Sequence, residues 1–243
     1  MKDTIFELTE CKLIAKNTYL WRLRGDISDI TAPGQFVNIK LSGFYLRRPI
    51  SVCDADADTL TLIFKAVGAG TEAMAKMTPG NMLPILTGLG NGYNTERSGD
   101  RPLLIGGGAG VPPMYMLAKK LIAQGKAPTV VLGFNTREEV FFEEEFAALG
   151  ARVIVATADG SYGIRGFVTD AMTEVDYTYF YTCGPMPMLR AVNTKTVTDG
   201  EFSFEERMGC GFGACMGCSC KTKYQNKRIC RDGPVLTKEE IVW

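Results

Sequence analysis

The sequence contains no histidine among its 243 residues. This absence excludes histidine general bases, Ser–His triads, histidine-ligated zinc and Rieske-type iron ligation. The chain also lacks a charge imbalance, because 27 lysines and arginines balance 27 aspartates and glutamates. The sequence therefore has neither the basic excess that would indicate nucleic-acid binding nor an acidic tract that would indicate a disordered tail.

Long apolar runs are missing as well. The most hydrophobic stretches, such as Leu103–Ile105 and Val130–Leu132, are far shorter than a membrane-spanning helix. Met1–Glu10 carries acidic and polar side chains and lacks the apolar core of a signal peptide. We therefore expect a cytoplasmic protein without a membrane segment, in which disulfide bonds are disfavoured. Its hydrophobic content of 46% is enough to bury a core without them.

Three regions of different composition follow one another along the chain. In residues 1–97, short runs such as Tyr19–Leu23 and Leu60–Phe64 alternate apolar with polar residues, which is typical of antiparallel strands in a small barrel. Residues 98–200 alternate apolar strands with helical stretches, which predicts a doubly wound parallel α/β domain. Residues 201–243 are dominated by cysteine and glycine, so we expect a small metal-organised module.

The alternation in the second region predicts where its strands and helices lie. Strands are expected near 103–105, 129–132, 153–155 and 177–181. Helices are expected near 115–123, 138–149, 167–172 and 186–192. Because the strands are continuously apolar, helices should cover both faces of the sheet.

The third region holds five of the eight cysteines. The C-x4-C-x2-C run with a distant fourth cysteine is the spacing of plant-type [2Fe–2S] ligation, and it is formed here by Cys210, Cys215, Cys218 and Cys230. Glycines at 211, 213 and 217 would let the backbone fold closely over such a cluster. Nearby amide N–H groups could then donate to the cluster sulfurs.

Two alternatives to this ligand set stay open. Structural zinc with four cysteines usually shows two short C-x2–4-C knuckles, whereas this sequence has one C-x2-C pair. Cys220 could replace Cys218 if the loop ran differently, although the spacing favours Cys218.

Short motifs in the first region suggest a flavin site. Arg48-Pro49-Ile50-Ser51 follows a predicted strand and offers an arginine for a pyrophosphate and a hydroxyl near a flavin ring. Ile63-Phe64-Lys65 comes next, and Gly68-Ala69-Gly70-Thr71 then allows a tight turn into a helix expected near Glu72, whose N-terminus would attract phosphate. Taken singly, these pieces are equally compatible with a surface arginine and an ordinary capped helix.

Glycine turns in the second region suggest a nucleotide site. Gly107-Gly108-Ala109-Gly110 follows the first predicted strand, where glycines let a dinucleotide approach the backbone. Cys183-Gly184-Pro185 follows the last predicted strand, and it could also be a simple strand-to-helix break. Arg137 stands where a 2′-phosphate would lie, but no second basic residue stands beside it, so NAD is favoured over NADP.

In this order the motifs resemble the ferredoxin–NADP reductase superfamily, in which a Greek-key FAD barrel precedes a nucleotide domain. The C-terminal stretches Glu206–Cys215 and Cys230–Val235, together with Arg48–Ser51, resemble the electron-transfer subunits of NAD-dependent dihydroorotate dehydrogenases. The resemblance covers essentially the whole chain. It implies FAD contacts at Arg48, Pro49, Ile50, Ser51, Ile63, Phe64, Lys65, Gly70 and Thr71, and nicotinamide neighbours at Gly107, Gly108, Ala109, Gly110, Cys183, Gly184 and Pro185.

The resemblance also implies an oxidoreductase role in pyrimidine (UMP) biosynthesis. A separate FMN-containing catalytic subunit would oxidise dihydroorotate, in a heterotetramer of two plus two. Electrons would cross the [2Fe–2S] cluster to FAD, which would reduce the diffusible co-substrate NAD⁺. Hydride transfer needs alignment of two rings and no side-chain base, so no catalytic side chain is expected and the lack of histidine is no obstacle.

Two other functions remain open at this point. The chain could be a reductase subunit with the same cofactors that serves a hydrogenase, a transhydrogenase or a ferredoxin-dependent enzyme. It could instead be a non-enzymatic binding module stapled by zinc.

Overall fold

The computed structural model describes residues 1–243, and its first part is a closed antiparallel barrel. The barrel elements are β1 (Lys2–Ala15), β2 (Thr18–Arg24), β3 (Phe36–Ile39), β4 (Arg48–Asp56), β5 (Thr59–Lys65), α1 (Ala69–Ala75) and β6 (Met82–Leu89). The strands are ordered β1-β2-β5-β4-β3-β6, and β6 pairs with β1 to close the barrel. This is the expected Greek-key barrel. Alternate residues such as Trp21 and Leu23 fill its interior.

The second part is a parallel sheet with helices on its faces. Its elements are β7 (Pro102–Gly107), α2 (Pro112–Ala123), β8 (Thr129–Phe134), α3 (Glu143–Ala148), β9 (Arg152–Thr157), β10 (Ile164–Arg165), α4 (Val168–Ala171), β11 (Tyr179–Cys183), α5 (Met186–Lys195) and β12 (Gly200–Ser203). The strands run in the order β10-β9-β8-β7-β11-β12. The chain therefore winds outward in both directions from β7, which confirms the doubly wound expectation.

The C-terminal segment adds to this sheet. It contains β13 (Ser219–Lys221), β14 (Asn226–Arg228), α6 (Ile229–Asp232) and β15 (Val235–Thr237). β13 and β14 form a separate hairpin, whereas β15 pairs antiparallel with β12 and completes a seven-stranded sheet. The domain divisions at 97/98 and 200/201 stay predictions, and the sheet extends across the second of them.

All four predicted strands of the second part are confirmed to within two residues at each end. The helix expected over 138–149 is wrong in extent, because α3 covers only Glu143–Ala148. The chain leaves the helical path at Phe142, which has a φ of +67°. Phe141, Phe142 and Phe146 are all buried with their rings packed edge to face. A left-handed residue cannot continue a right-handed helix, so α3 begins only after Phe142.

The helices are short throughout. α2 is the longest at 12 residues, and no helix is long and apolar enough to cross a membrane. α2 begins with Pro112 and Pro113, which lack the N–H groups that would be unpaired in a first turn. Ion pairs join α2 to the barrel, since Lys119 Nζ lies 3.0 Å from Asp54 and 3.3 Å from Asp56.

Candidate functional site

A cleft of about 580 Å³ lies at the carboxyl ends of β7 and β11, where the strand order reverses. Open parallel sheets bind dinucleotides at this place. Six of the residues expected beside a nicotinamide line the cleft: Gly107, Gly108, Ala109, Gly110, Gly184 and Pro185. Their contact with a nucleotide stays a prediction, for which the cleft provides the space.

Gly110 shows why the turn after β7 needs glycine. A Cβ on Gly110 would overlap the carbonyl of Cys183 and the nitrogen of Gly184, so the two turns touch backbone to backbone. Cys183 does not line the cleft, because its thiol is buried. Burial, reinforced by the nearby Glu205, raises the pKa of this thiol well above its usual range. Cys183 therefore shapes the turn and offers no thiolate.

One wall of the cleft is tied to the barrel by an ion pair. Lys65 Nζ, at the end of β5, lies 2.7 Å from Oε1 of Glu139. Oε2 of Glu139 also accepts a hydrogen bond from Asn135, just after β8, at 2.9 Å. Burial favours the neutral form of Glu139, but Lys65 and Asn135 outweigh it and lower the carboxyl pKa. The contact of Lys65 with FAD stays a prediction.

No sequence pattern pointed to Glu205, yet it lines the same cleft. It lies two residues beyond the end of β12, next to Gly184 and Pro185, which follow β11. Its side chain is exposed at the cleft, while desolvation by the atoms packed around the carboxyl raises its pKa, and no basic side chain opposes that shift. A carboxylate directly after a parallel strand is the signal that could identify it, but the sequence pattern does not predict β12.

The arginine expected to bind a diphosphate lies beside α1. Arg48 opens β4, and its guanidinium lies 4.7 Å from the centre of the Phe44 ring. It forms no ion pair, whereas Arg47 Nη2 lies 2.6 Å from Oδ2 of Asp3. A Cβ on Gly70, in the first turn of α1, would overlap the Arg48 guanidinium. The guanidinium of Arg48, which has no ion-pair partner, therefore lies beside the N-terminus of α1, in space that Gly70 leaves free.

The other residues expected around FAD lie nearby. β4 and β5 are adjacent antiparallel strands, and they carry Pro49, Ile50, Ser51, Ile63 and Phe64. The hydroxyl of Thr71 accepts hydrogen bonds from the N–H groups of Val67 and Gly68 at 3.1 and 3.2 Å, so it caps α1. The helix begins at Ala69, earlier than the expected start near Glu72. These residues fit a bound flavin dinucleotide, and their contacts with it stay predictions.

Replacing Arg48 with glutamine is expected to weaken FAD binding about 10- to 100-fold, because hydrogen bonds to charged groups contribute about 1.5–3 kcal/mol. Titration of apoprotein with FAD measures the effect. Arg47→Gln is the matched control, since Arg47 already pairs with Asp3. Equal weakening in both variants would contradict the role assigned to Arg48.

The four predicted cluster cysteines lie in two pairs. The Cys215 thiol lies against the sulfur of Cys210, and the Cys218 thiol lies against Cys230. No group of three or more cysteine or carboxylate side chains is arranged to hold a single metal ion. A [2Fe–2S] centre has two irons with two protein ligands each, so the pairs fit this group.

Amide groups of the loop donate to the cysteine sulfurs. The N–H groups of Ala214 and Cys215 donate to Cys210 Sγ at 3.2 and 3.4 Å, and that of Cys230 donates to Cys218 Sγ at 3.4 Å. Burial opposes ionisation of Cys210, but the amide donors outweigh it and lower the thiol pKa to about 6. Burial and the neighbouring Cys218 raise the pKa of Cys230 to about 12. Thiolates are the iron-binding form, so the loop favours ligation by Cys210.

The backbone of the cluster loop partly matches the glycine expectation. Gly211 and Gly213 have φ values of +80° and +93°. The third residue with positive φ is Met216, at +62°, and Gly217 is not in this conformation. A Cβ on Gly217 would meet Cys215 Sγ at 3.5 Å, so the role expected of Gly217 in a close fold of the loop stays a prediction. Met216, a residue without glycine's freedom, takes the left-handed position.

Two polar side chains hold the loop from outside. Asn38 of β3 donates from Nδ2 to the carbonyl of Cys210 at 3.2 Å. Arg228 donates from Nη1 to the carbonyl of Gly213 at 2.8 Å. Cys220 belongs to neither thiol pair and packs against the core of the C-terminal half. The loop is thus fixed to the barrel on one side and to β14 on the other.

Comparison with known proteins identifies two matching family models. The model described as the iron-sulfur cluster binding domain of dihydroorotate dehydrogenase B matches residues 205–242. The model described as the oxidoreductase NAD-binding domain matches residues 104–194. These ranges contain the paired cysteines and the cleft turns respectively.

Similar full-length sequences carry one name. The chain is 44% identical to a Geobacillus protein named dihydroorotate dehydrogenase B (NAD(+)), electron transfer subunit, over 100% of this chain and 99% of the relative. It is 43% identical to a Bacillus mycoides protein of the same name, over 95% of each chain.

Solved structures share the fold. A structure of NADH-dependent reduced ferredoxin-NADP oxidoreductase superimposes with a TM-score of 0.89 at 28% identity, over 100% of this chain and 91% of the other. A ferredoxin NADP⁺ reductase from Neisseria gonorrhoeae, solved with FAD and NADP, superimposes with a TM-score of 0.69 at 20% identity, over 80% and 90%.

Proposed function

The chain belongs to the family of electron transfer subunits of NAD⁺-dependent dihydroorotate dehydrogenase B, and we propose that it passes electrons from a catalytic partner through a [2Fe–2S] cluster and FAD to NAD⁺. The observation that carries the proposal is the short path from Glu205 in the cleft to Cys210 in the cluster loop. Five residues span at most about 18 Å, so both sites lie within one compact region.

Each site has its own task in this proposal. Arg48 and the start of α1 hold the diphosphate of FAD, and the glycine turns at Gly110 and Gly184 admit the nicotinamide nucleotide. Bound FAD supplies the exchange of hydride with nicotinamide and of single electrons with the cluster. The paired cysteines hold the cluster, and the amides around Cys210 stabilise its thiolate. None of these tasks requires a side chain to move a proton.

The partner is proposed to be an FMN-containing catalytic subunit, in a heterotetramer of two plus two that serves pyrimidine biosynthesis. Phe212 and Met216, on either side of Cys215, are 46% and 56% exposed. Exposed apolar residues beside a redox centre suit a docking partner that must approach it closely. Eight cysteines without a disulfide suit the reducing cytoplasm, the location we propose.

The decisive experiment reconstitutes the anaerobically purified chain with the catalytic subunit of the same source. Flavin absorption, two irons and two sulfides per chain, and NADH formation from dihydroorotate and NAD⁺ are the expected results. A colourless chain that contains zinc would overturn the electron-transfer proposal. A coloured chain that reduces acceptors with NADH but never couples to dihydroorotate would identify another partner complex.

A further inference from the structure

The cleft contains two carboxylates in opposite electrostatic situations. Glu139 is paired with Lys65 at 2.7 Å, so its charge is balanced. Glu205 has no ion pair and is exposed where it lines the cleft. One wall of the cleft is therefore close to neutral, and the other carries an unbalanced negative charge whenever Glu205 is ionised.

Sheet order assigns the two carboxylates to different halves of a bound dinucleotide. In doubly wound sheets the adenosine ribose lies near the end of the second strand, which is β8 here, and the dinucleotide crosses the switch point from there. Glu139 and Asn135 follow β8, on the adenosine side. Glu205 follows β12 on the far side of β11, so it lies with Gly184 and Pro185 on the nicotinamide side.

The nicotinamide ring changes charge during the reaction. It carries a positive charge in NAD⁺ and none in NADH. A carboxylate beside it attracts the first form and gains nothing from the second, and the attraction is stronger where water is partly excluded. The Glu205 side chain is open to solvent where it lines the cleft, and a nucleotide bound there would exclude water from it.

We propose that Glu205 is a specificity-determining residue that makes the cleft prefer the oxidised, cationic nicotinamide ring over the reduced, neutral one. This inference rests on the proposed function, since it requires the cleft to bind a nicotinamide nucleotide. The carboxylate touches the nucleotide and takes no part in the hydride transfer. Its effect is to attract NAD⁺ before the hydride transfer, and this attraction is lost once the nicotinamide ring becomes neutral.

The test compares two ligands on oxidised holoprotein by isothermal titration calorimetry. One ligand is NAD⁺, and the other is 1,4,5,6-tetrahydro-NAD, whose ring is neutral and cannot donate hydride to the flavin. Glu205→Gln is expected to weaken NAD⁺ binding about tenfold and to leave the neutral analogue within about twofold. A tenfold change in this preference shifts the two-electron potential of the bound nucleotide by about 30 mV.

Two variants make the comparison sharp. Glu205→Asp keeps the charge and should retain a preference for NAD⁺. Glu206→Gln removes the neighbouring carboxylate, which does not line the cleft, and should behave as the wild type. An unchanged ratio of the two affinities in Glu205→Gln, or equal weakening of both ligands, would overturn the inference. Wild-type holoprotein that binds neither ligand would overturn the proposed function as well.

Discussion

Cys215→Ser is expected to remove the iron–sulfur cluster and to reduce electron exchange with the catalytic partner by at least about 100-fold. Loss of a residue that only supports a metal ligand already lowers metal affinity or activity by up to about 100-fold, and Cys215 is itself a predicted ligand. Cys215 is the exposed member of its thiol pair, and its loss leaves Cys210 without the neighbour that lies against its sulfur. A serine hydroxyl does not supply the thiolate that iron–sulfur ligation requires.

The same variant should keep its flavin. The residues that fit FAD belong to β4, β5 and α1 of the barrel, whereas Cys215 belongs to the loop between β12 and β13. NADH oxidation by artificial acceptors should therefore continue at close to the wild-type rate. Iron, sulfide and FAD analysis together with both activities measures the outcome. Cys220→Ser is the matched control, because Cys220 belongs to neither pair and should be dispensable. Normal electron transfer to the partner in Cys215→Ser would show that the relay is wrongly assigned.

Gly110→Ala is expected to distort the nucleotide cleft and to destabilise the protein by about 1–3 kcal/mol, the range for inserting an atom into packed surroundings. The added Cβ would overlap the main chain at Cys183 and Gly184, which cannot rotate away as a side chain can. The two turns at the switch point must then separate. Loss of NAD⁺ binding by at least about tenfold should accompany the lower stability.

Thermal unfolding and NAD⁺ titration together measure this effect, and each kcal/mol corresponds to about 2–4 °C in Tm for a chain of this size. Gly68→Ala provides the control. Gly68 has an extended φ of −165°, and a Cβ there would meet no atom within 4 Å. Its substitution should change stability by no more than about 1 kcal/mol. A Gly110→Ala variant as stable as Gly68→Ala would mean that the two turns are not in contact.

The general architecture could be predicted because its signals are local. Continuous apolar strands, turn residues and cysteine spacing each occupy a few neighbouring positions, and the barrel, the parallel sheet and the cluster segment follow from them. The extent of α3 could not be predicted in this way. The left-handed backbone at Phe142 places its ring against rings of other elements such as Tyr115, a contact that no local pattern indicates.

The candidate site shows the same division. Glycines at 107, 108, 110 and 184 are visible in the sequence because they follow apolar strands. Glu205 was not visible, since it follows the short strand β12, which forms only against β11 and β15. Met216 was not visible either, because nothing in its residue type favours a positive φ. Local sequence patterns therefore do not predict residues whose role depends on a partner distant in sequence.

The antiparallel pairing of β15 with β12 has a consequence for the making of the protein. β15 lies C-terminal to every other strand of its sheet, so it is the last of them to leave the ribosome. Until then β12 is an edge strand with free N–H and C=O groups, which other chains can pair with. Between them in sequence lie all four paired cysteines, from Cys210 to Cys230. Iron delivery that orders this segment would bring β15 to its place, so iron-starved cells should accumulate chains with an open edge that aggregate or are degraded.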